Sequence, residues 1–288
     1  TAATAPFVAA AAAGKVLGLD EAQMAHAIGL AFAQVAFGAN ALRGPSLTKR
    51  LKAGLGCRGG VESALLARRG VTASLPDTFE GSHGFYQYFY GHDGDLEQLC
   101  SGAGQDFQVT RLSLKPYPCC RVNHGAVDCT LSLVSQHHIQ PSDVEAVRVW
   151  LTPRGYAQLG GGGDPDRVQQ KRHPVGVIDS QFSIYWTVST AILKGKMTVD
   201  SFTDAALADP ETNRMTERVT CLPREMLATG ARAITPARVE IHTRQGQAYT
   251  QETEFAWGHP ARPFTLEDND RKFRENAAHA TRPIPQRR

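Results

Sequence analysis

The densest grouping of reactive side chains in the sequence is Lys115-Pro116-Tyr117-Pro118-Cys119-Cys120-Arg121-Val122-Asn123-His124. Lys115 precedes one proline and a second follows two residues later, which holds the backbone extended and bends it ahead of the next element. Cys119 to Asn123 then run into a predicted helix, whose positive dipole end favours bound anions. A carboxylate-rich molecule suits a place flanked by Lys115, Arg121 and His124, and either Lys115 or His124 could move a proton there. A purely structural alternative fits the same pattern: Lys115 pairs with an acid and His124 caps the helix.

Other constellations are weaker. Lys49, Arg50 and Lys52 form a second cationic cluster, read most simply as a solvated helix face. Gly54-Leu55-Gly56-Cys57-Arg58-Gly59 matches GxGxxG, but a dinucleotide site needs that motif directly after a strand. Here it follows the basic, helical-looking Leu47 to Ala53, so small residues for close helix packing are the preferred reading. Gly160 to Gly163 lacks the Lys-Ser/Thr of a phosphate loop and is read as a mobile loop, with a lid as the alternative. His137-His138 sits at a helix end and suits a solvated cap better than a metal. Ser183 lies in no GxSxG elbow. The six cysteines (57, 100, 119, 120, 129, 221) show no metal-type spacing and are read as reduced thiols in a cytoplasmic protein. No metal and no cofactor is expected.

Composition narrows the partners. The 288 residues are 42% hydrophobic and 20% charged, with a formal net charge of +3, ordinary for one large or two moderate soluble domains. That excess is too small to imply nucleic acid, and no run is apolar for the ~18 residues a membrane span requires. The Ala-rich stretch Pro6 to Gly18 has no basic leader and carries Lys15, so it predicts a core helix rather than a signal peptide.

Residues 1–104 read as a helical domain. Asp20 is a candidate N-cap, and Met24, Ile28, Ala31, Phe32 and Val35 follow at helical spacing. Leu30, Ala33 and Phe37 fill the other side, which predicts a helix buried all round. One further helix is expected from about Leu47, and another through Val61, Ala64, Leu65 and Leu66 to Gly70. Over 105–269 the pattern predicts a smaller α+β domain with an antiparallel sheet. Its parts are a strand over Phe107 to Leu112, a helix through Val127, Leu131 and Val134, a strand over Val144 to Thr152, a helix from Phe182 to Gly195, and a hairpin about Gln245-Gly246. A last helix, within 270–288, is expected to return to the helical domain.

In their order and spacing these pieces resemble the MmgE/PrpD family (2-methylcitrate dehydratase and relatives) over nearly the whole chain. The resemblance rests on Lys15-Val16-Leu17-Gly18-Leu19-Asp20, Ala27-Ile28-Gly29-Leu30-Ala31, Lys49 with Gly54 and Gly56, and Ala64-Leu65-Leu66-Ala67. It continues through Phe79-Glu80-Gly81-Ser82-His83-Gly84-Phe85, the Lys115 to Cys120 stretch with His124 and Asp128, and Asp179-Ser180-Gln181-Phe182-Ser183-Ile184. It implies a homodimer with its active site in a cleft between a helical and an α+β domain, and metal-free, cofactor-free chemistry on di- or tricarboxylates. Relatives dehydrate 2-methylcitrate, decarboxylate cis-aconitate or epimerise iminodisuccinate. By this resemblance Lys49 and Lys115 line the pocket, and the aromatic after Ser183-Ile184, Tyr185 or Trp186, faces it. In the mechanism expected there, Lys49, Arg121 and helix-end amides hold substrate carboxylates while Lys115 or His124 moves a proton. Lys49, Lys115 and His124 are thus the candidate catalytic residues, and Arg121, Cys120 and the aromatic the substrate-binding ones. Dehydration is the expected reaction, with an epimerase, a decarboxylase or a non-catalytic remnant that keeps the fold as the alternatives. Five residues beyond the lysine, decarboxylases carry histidine and dehydratases an acid, whereas this chain has Cys120; Tyr185 stands where proline is usual. The chain opens at Thr1 without methionine, both ends read as cut, and the resemblance places further acidic and histidine site residues upstream.

Overall fold

The computed structural model describes residues 3–35, 47–75, 78–225 and 236–282. Phe37 and residues 283–288 lie outside them. The chain divides into two compact units, Thr1–Phe107 and Gln108–Arg288.

The first unit is helical: α1 (Ala5–Leu17), α2 (Glu21–Phe32), α3 (Thr48–Arg68), α4 (Phe85–Tyr90) and α5 (Leu96–Cys100). The Ala-rich start is α1, with Pro6 in its first turn and Gly18 closing it at φ 68°, a left-handed value glycine adopts at little cost. Asp20 caps α2 through a reciprocal box with Gln23: its carboxylate accepts from the Gln23 amide at 2.8 Å, and the Gln23 side chain accepts from the Asp20 amide at 3.2 Å. Only Ala27 and Ala31 of α2 are fully buried. An apolar circumference is therefore not matched by neighbours on every side, since periodicity counts apolar residues and not what covers them.

The two helices expected between Leu47 and Gly70 are the single helix α3. The GxGxxG segment lies inside it, and the buried stripe is Gly56, Gly59, Gly60, Ser63, Ala64 and Ala67. A Cβ at Gly60 would stand 2.2 Å from the carbonyl oxygen of Pro6 and 2.6 Å from the Ala9 Cβ, so glycine is what lets α1 and α3 approach. Gly60→Ala would gain about 1 kcal/mol of helix propensity, but the contact is with backbone that cannot swing aside. Overpacking of this kind costs about 1–3 kcal/mol, and the variant is expected to be the less stable in urea unfolding followed by circular dichroism. Phe7 packs on Phe79 and Phe85, ring centroids 5.1 and 5.2 Å apart, and joins the aromatic loop to α1.

The second unit holds α6 (His124–His137), β1 (Val144–Leu151), α7 (Pro153–Leu159), α8 (Pro165–Arg172), α9 (Val177–Gln181), α10 (Ile184–Lys194), α11 (Asp204–Leu207), α12 (Pro210–Thr216), β2 (Val219–Pro223), β3 (Ala237–Thr243), β4 (Ala248–Thr253) and α13 (Leu266–Ala277). Its sheet has the order β2-β1-β3-β4. β1 and β3 pair antiparallel, as do β3 and β4, but β2 runs parallel to β1. The sheet is thus mixed rather than antiparallel, and the α+β unit is the larger of the two, not the smaller. Helices α7 to α12 supply the long crossover that a parallel pair requires. Val147, Val149 and Leu151 face Ile241, Val239 and Ala237 across the ladder, and all six are fully buried; α6 packs on β3 and β4. The other face carries Arg148, Glu240 and Glu252 in ion pairs, the in/out division expected of a sheet covered on one side.

The strand expected over Phe107 to Leu112 is instead a 3-10 turn at Gln108–Arg111, with Phe107, Val109 and Leu112 exposed. Six alternating residues do not specify a strand unless a ladder receives them, and β2 and β4 already occupy the sheet edges. The last helix begins at Leu266 and sets the Arg271 guanidinium 5.6 Å from the Trp257 ring centroid.

Candidate active site

The Lys115 to Asn123 stretch is held from the side by Gln181 at the end of α9. Gln181 donates its side-chain amide to the Pro118 carbonyl at 2.7 Å. Its own carbonyl accepts from the Cys120 amide at 2.9 Å and from the Asn123 side chain at 3.1 Å. Lys115 curls back, donating Nζ to the Cys119 carbonyl at 3.0 Å. A 3-10 turn, Arg121–Asn123, then leads into α6. Asn123, His124 and Ala126 are wholly buried and Gly125 is buried with them. Within this unit the amides of that first turn are therefore covered, where the sequence pattern predicts an open, anion-facing helix entrance.

Arg121 organises those side chains. Its Nη1 donates to the Leu114 carbonyl at 3.1 Å, to the Trp257 carbonyl at 3.3 Å and to His124 Nδ1 at 3.3 Å. Its Nη2 is buried and has no partner among the described residues. With Nδ1 accepting, the His124 proton sits on Nε2, which points at the Cys119 carbonyl 3.5 Å away. Burial, and then the charges of Arg121, Lys115 and Lys272, push the imidazole pKa down to about 3. His124 is neutral and enclosed and accepts from Arg121, whereas Lys115 is exposed.

That shift sets a pH dependence. The unfolded chain binds more protons than the folded one between His124's ordinary 6.5 and its folded value of about 3. Stability is accordingly fully present above pH 6.5 and is lost as the pH falls through that window. At about 1.4 kcal/mol per pH unit, His124 should contribute a loss of about 2 kcal/mol from pH 6.5 to pH 5. Trp150, Trp186 and Trp257 all lie in the second unit, so urea unfolding read by tryptophan fluorescence reports on it. His124→Gln should flatten the pH dependence; equal slopes in both proteins would refute the assignment.

Asp128, one turn into α6, ties the floor together. It accepts from the Tyr117 hydroxyl and the Trp257 amide, both at 2.6 Å, and from Arg262 at 3.4 Å. Burial outweighs these donors and holds its carboxyl above the ordinary range. Cys120 is buried, accepts from the Gln158 side chain at 3.7 Å, and lies close enough to Lys171 for the two to interact electrostatically. Lys171 is half-buried, and burial lowers its pKa against the opposing pull of Asp179. Nothing in the local pattern singled out Lys171, because its neighbour Cys120 is remote in sequence.

The remaining candidates lie elsewhere. Tyr185 and Trp186 are core residues of α10. The Tyr185 hydroxyl donates to the Gly160 carbonyl at 2.9 Å, and the Trp186 indole donates to the Ser201 carbonyl at 3.0 Å. The Gly160 to Gly163 run joins α7 to α8, with Gly161, Gly162 and Gly163 all at positive φ. Lys49 stands in the first turn of α3, in the first unit. Among the described residues no three His, Cys, Asp or Glu side chains are grouped to hold a metal, and no helix is long and apolar enough to cross a membrane.

Residues 117–288 match the MmgE/PrpD C-terminal domain, and residues 1–97 match the MmgE/PrpD N-terminal domain. With both halves present in order, the chain belongs to the MmgE/PrpD family. Its curated relatives include a cis-aconitate decarboxylase of Aspergillus terreus, 25% identical over 258 residues, a match covering 85% of this chain and 51% of that protein. The cis-aconitate decarboxylases of Homo sapiens and Mus musculus are 22% and 24% identical, each match covering 93% of this chain and 54% and 53% of the relative. The chain thus spans about half the length of the curated relatives it matches.

Proposed function

We propose that the chain serves a lyase acting on a small di- or tricarboxylate, with Lys115 as proton carrier and Arg121 and Lys49 as carboxylate holders. The observation that supports this most is an exposed Lys115 six residues from Arg121, whose guanidinium is fixed by the Leu114 and Trp257 carbonyls and by His124. A guanidinium presents two parallel donors to a carboxylate, and here one edge is already spent on the protein. Loss of carbon dioxide from cis-aconitate or a close analogue is the favoured reaction, because the relatives named above are cis-aconitate decarboxylases. In that step the bond to the departing carboxylate breaks, its electron pair stays on carbon, and the Lys115 ammonium supplies the proton that replaces it. Dehydration of a 2-methylcitrate-type hydroxy acid is the second reading, favoured by Cys120 in place of the histidine that the resemblance assigns to decarboxylases. A cytoplasmic homodimer is part of the same proposal, and light scattering tests the dimer.

Proton NMR of the protein incubated in turn with cis-aconitate, 2-methylcitrate and iminodisuccinate separates the readings. A decarboxylated product from the first supports the favoured one, and an alkene from the second supports dehydration. Solvent deuterium exchange in the third without net elimination would point to an epimerase, and no change in any of the three would overturn the lyase reading.

A further inference from the structure

Beside Lys115 the second unit contains a hollow of about 430 Å³, between the Lys115 to Pro118 stretch, the segment Lys196 to Asp200 that follows α10, and the last turns of α13. That size falls within the ~300–1,000 Å³ of small-ligand sites. A second hollow of about 280 Å³ adjoins it and shares Tyr117, Lys196, Thr198 and Lys272 in its wall. Three lysines from three separate chain segments, Lys115, Lys196 and Lys272, therefore line one space. Among the described residues neither Lys196 nor Lys272 makes an ion pair. Of the two acids in the wall, Asp200 is engaged by His279 at 3.6 Å; the other is Glu275. Lys272 is half-buried, and its charge joins that of Lys115 in opposing protonation of the buried His124. Pro116, Met197 and Val199 give the hollow apolar wall between its cations. Like charges gathered about an apolar-walled space repel one another, and a multiply charged anion removes that repulsion while finding room for its carbon skeleton.

We infer that this hollow is a polycarboxylate-binding site, in which Lys196 and Lys272 hold the carboxylates of the molecule whose reacting carbon lies at Lys115. The inference rests on the proposed lyase reading and adds two binding residues to it. Both act by charge and contact the ligand without moving protons, so lysine and arginine should serve alike at these positions.

Citrate is the probe, titrated into the 288-residue chain and followed by calorimetry at low and moderate salt, with NMR of the same mixture showing whether it is turned over. The unsubstituted protein should bind it, more weakly as sodium chloride is raised. Lys196→Ala and Lys272→Ala should each weaken binding by up to about fivefold, the range of one partly exposed charge pair. The double variant should lose more than either, and Lys272→Arg should bind close to normally. Lys15→Ala, on α1, serves as the unaffected control, and circular dichroism verifies folding of each variant. Absence of citrate binding, or a double variant that binds like the parent, overturns the inference. Its failure is distinguishable from that of the lyase reading. If citrate binding ignores Lys196 and Lys272 while turnover depends on Lys115, only the hollow is misassigned. If citrate needs both lysines while Lys115→Ala turns over normally, the hollow stands and the lyase assignment falls.

Discussion

Lys115→Ala should lower turnover of the polycarboxylate substrate by about 10²–10⁴-fold, the range a positioned general acid or base contributes. The expectation follows from where the amine is kept. The turn between Pro116 and Pro118 brings Nζ to the Cys119 carbonyl at 3.0 Å, and a single carbonyl acceptor leaves the other ammonium protons available. His124, the alternative proton carrier, is enclosed with both ring nitrogens facing protein atoms. Lys115→Arg separates charge from proton transfer, because a guanidinium keeps the charge but does not deprotonate at neutral pH. It should retain much of the substrate affinity while remaining nearly as slow as the alanine variant. Single-turnover kinetics on cis-aconitate would show this as a loss in kcat with little change in KM. Near-normal turnover in Lys115→Ala would remove Lys115 from the chemistry.

Asp128→Ala should destabilise the second unit by about 2–5 kcal/mol, the cost of stranding the donors that this buried carboxyl accepts from. The carboxylate accepts from the Tyr117 hydroxyl, the Trp257 amide and Arg262. Tyr117 is only 8% exposed, so its hydroxyl would be left without an acceptor, and each stranded buried group costs about 1–3 kcal/mol. The loss has a functional side as well. Tyr117 stands between the two prolines that aim Lys115, and the Trp257 carbonyl holds Arg121. Asp128→Asn keeps one acceptor oxygen and should fall between the parent and the alanine variant. Urea unfolding of the three proteins by tryptophan fluorescence orders them, and equal midpoints would show that Asp128 does not carry the network.

Much of the architecture was legible in the sequence because it is local. The Asp20 cap, the helices around Val127 and Ile192, the strand at Val144 and the Gln245-Gly246 hairpin each depend on residues a few positions apart, where propensity and period act directly. The parallel strand β2 was not legible: five residues carry too little period, and its pairing with β1 spans more than sixty residues of crossover. The GxGxxG match misleads for a related reason, since whether glycines cradle a phosphate or admit a neighbouring helix depends on what approaches them. At Gly60 the approaching group is the Pro6 carbonyl.

The same division runs through the site. By itself the sequence determined the Lys115 to His124 stretch, its prolines and its cations, and with them the family. Only the tertiary structure decided what each member does, because pKa and access depend on neighbours that come from distant segments. Burial and the charges of Arg121, Lys115 and Lys272 keep His124 neutral. Packing in α10 turns Tyr185 and Trp186 into the core. Folding also brings Lys196 and Lys272, more than seventy residues apart in the chain, to the same hollow as Lys115.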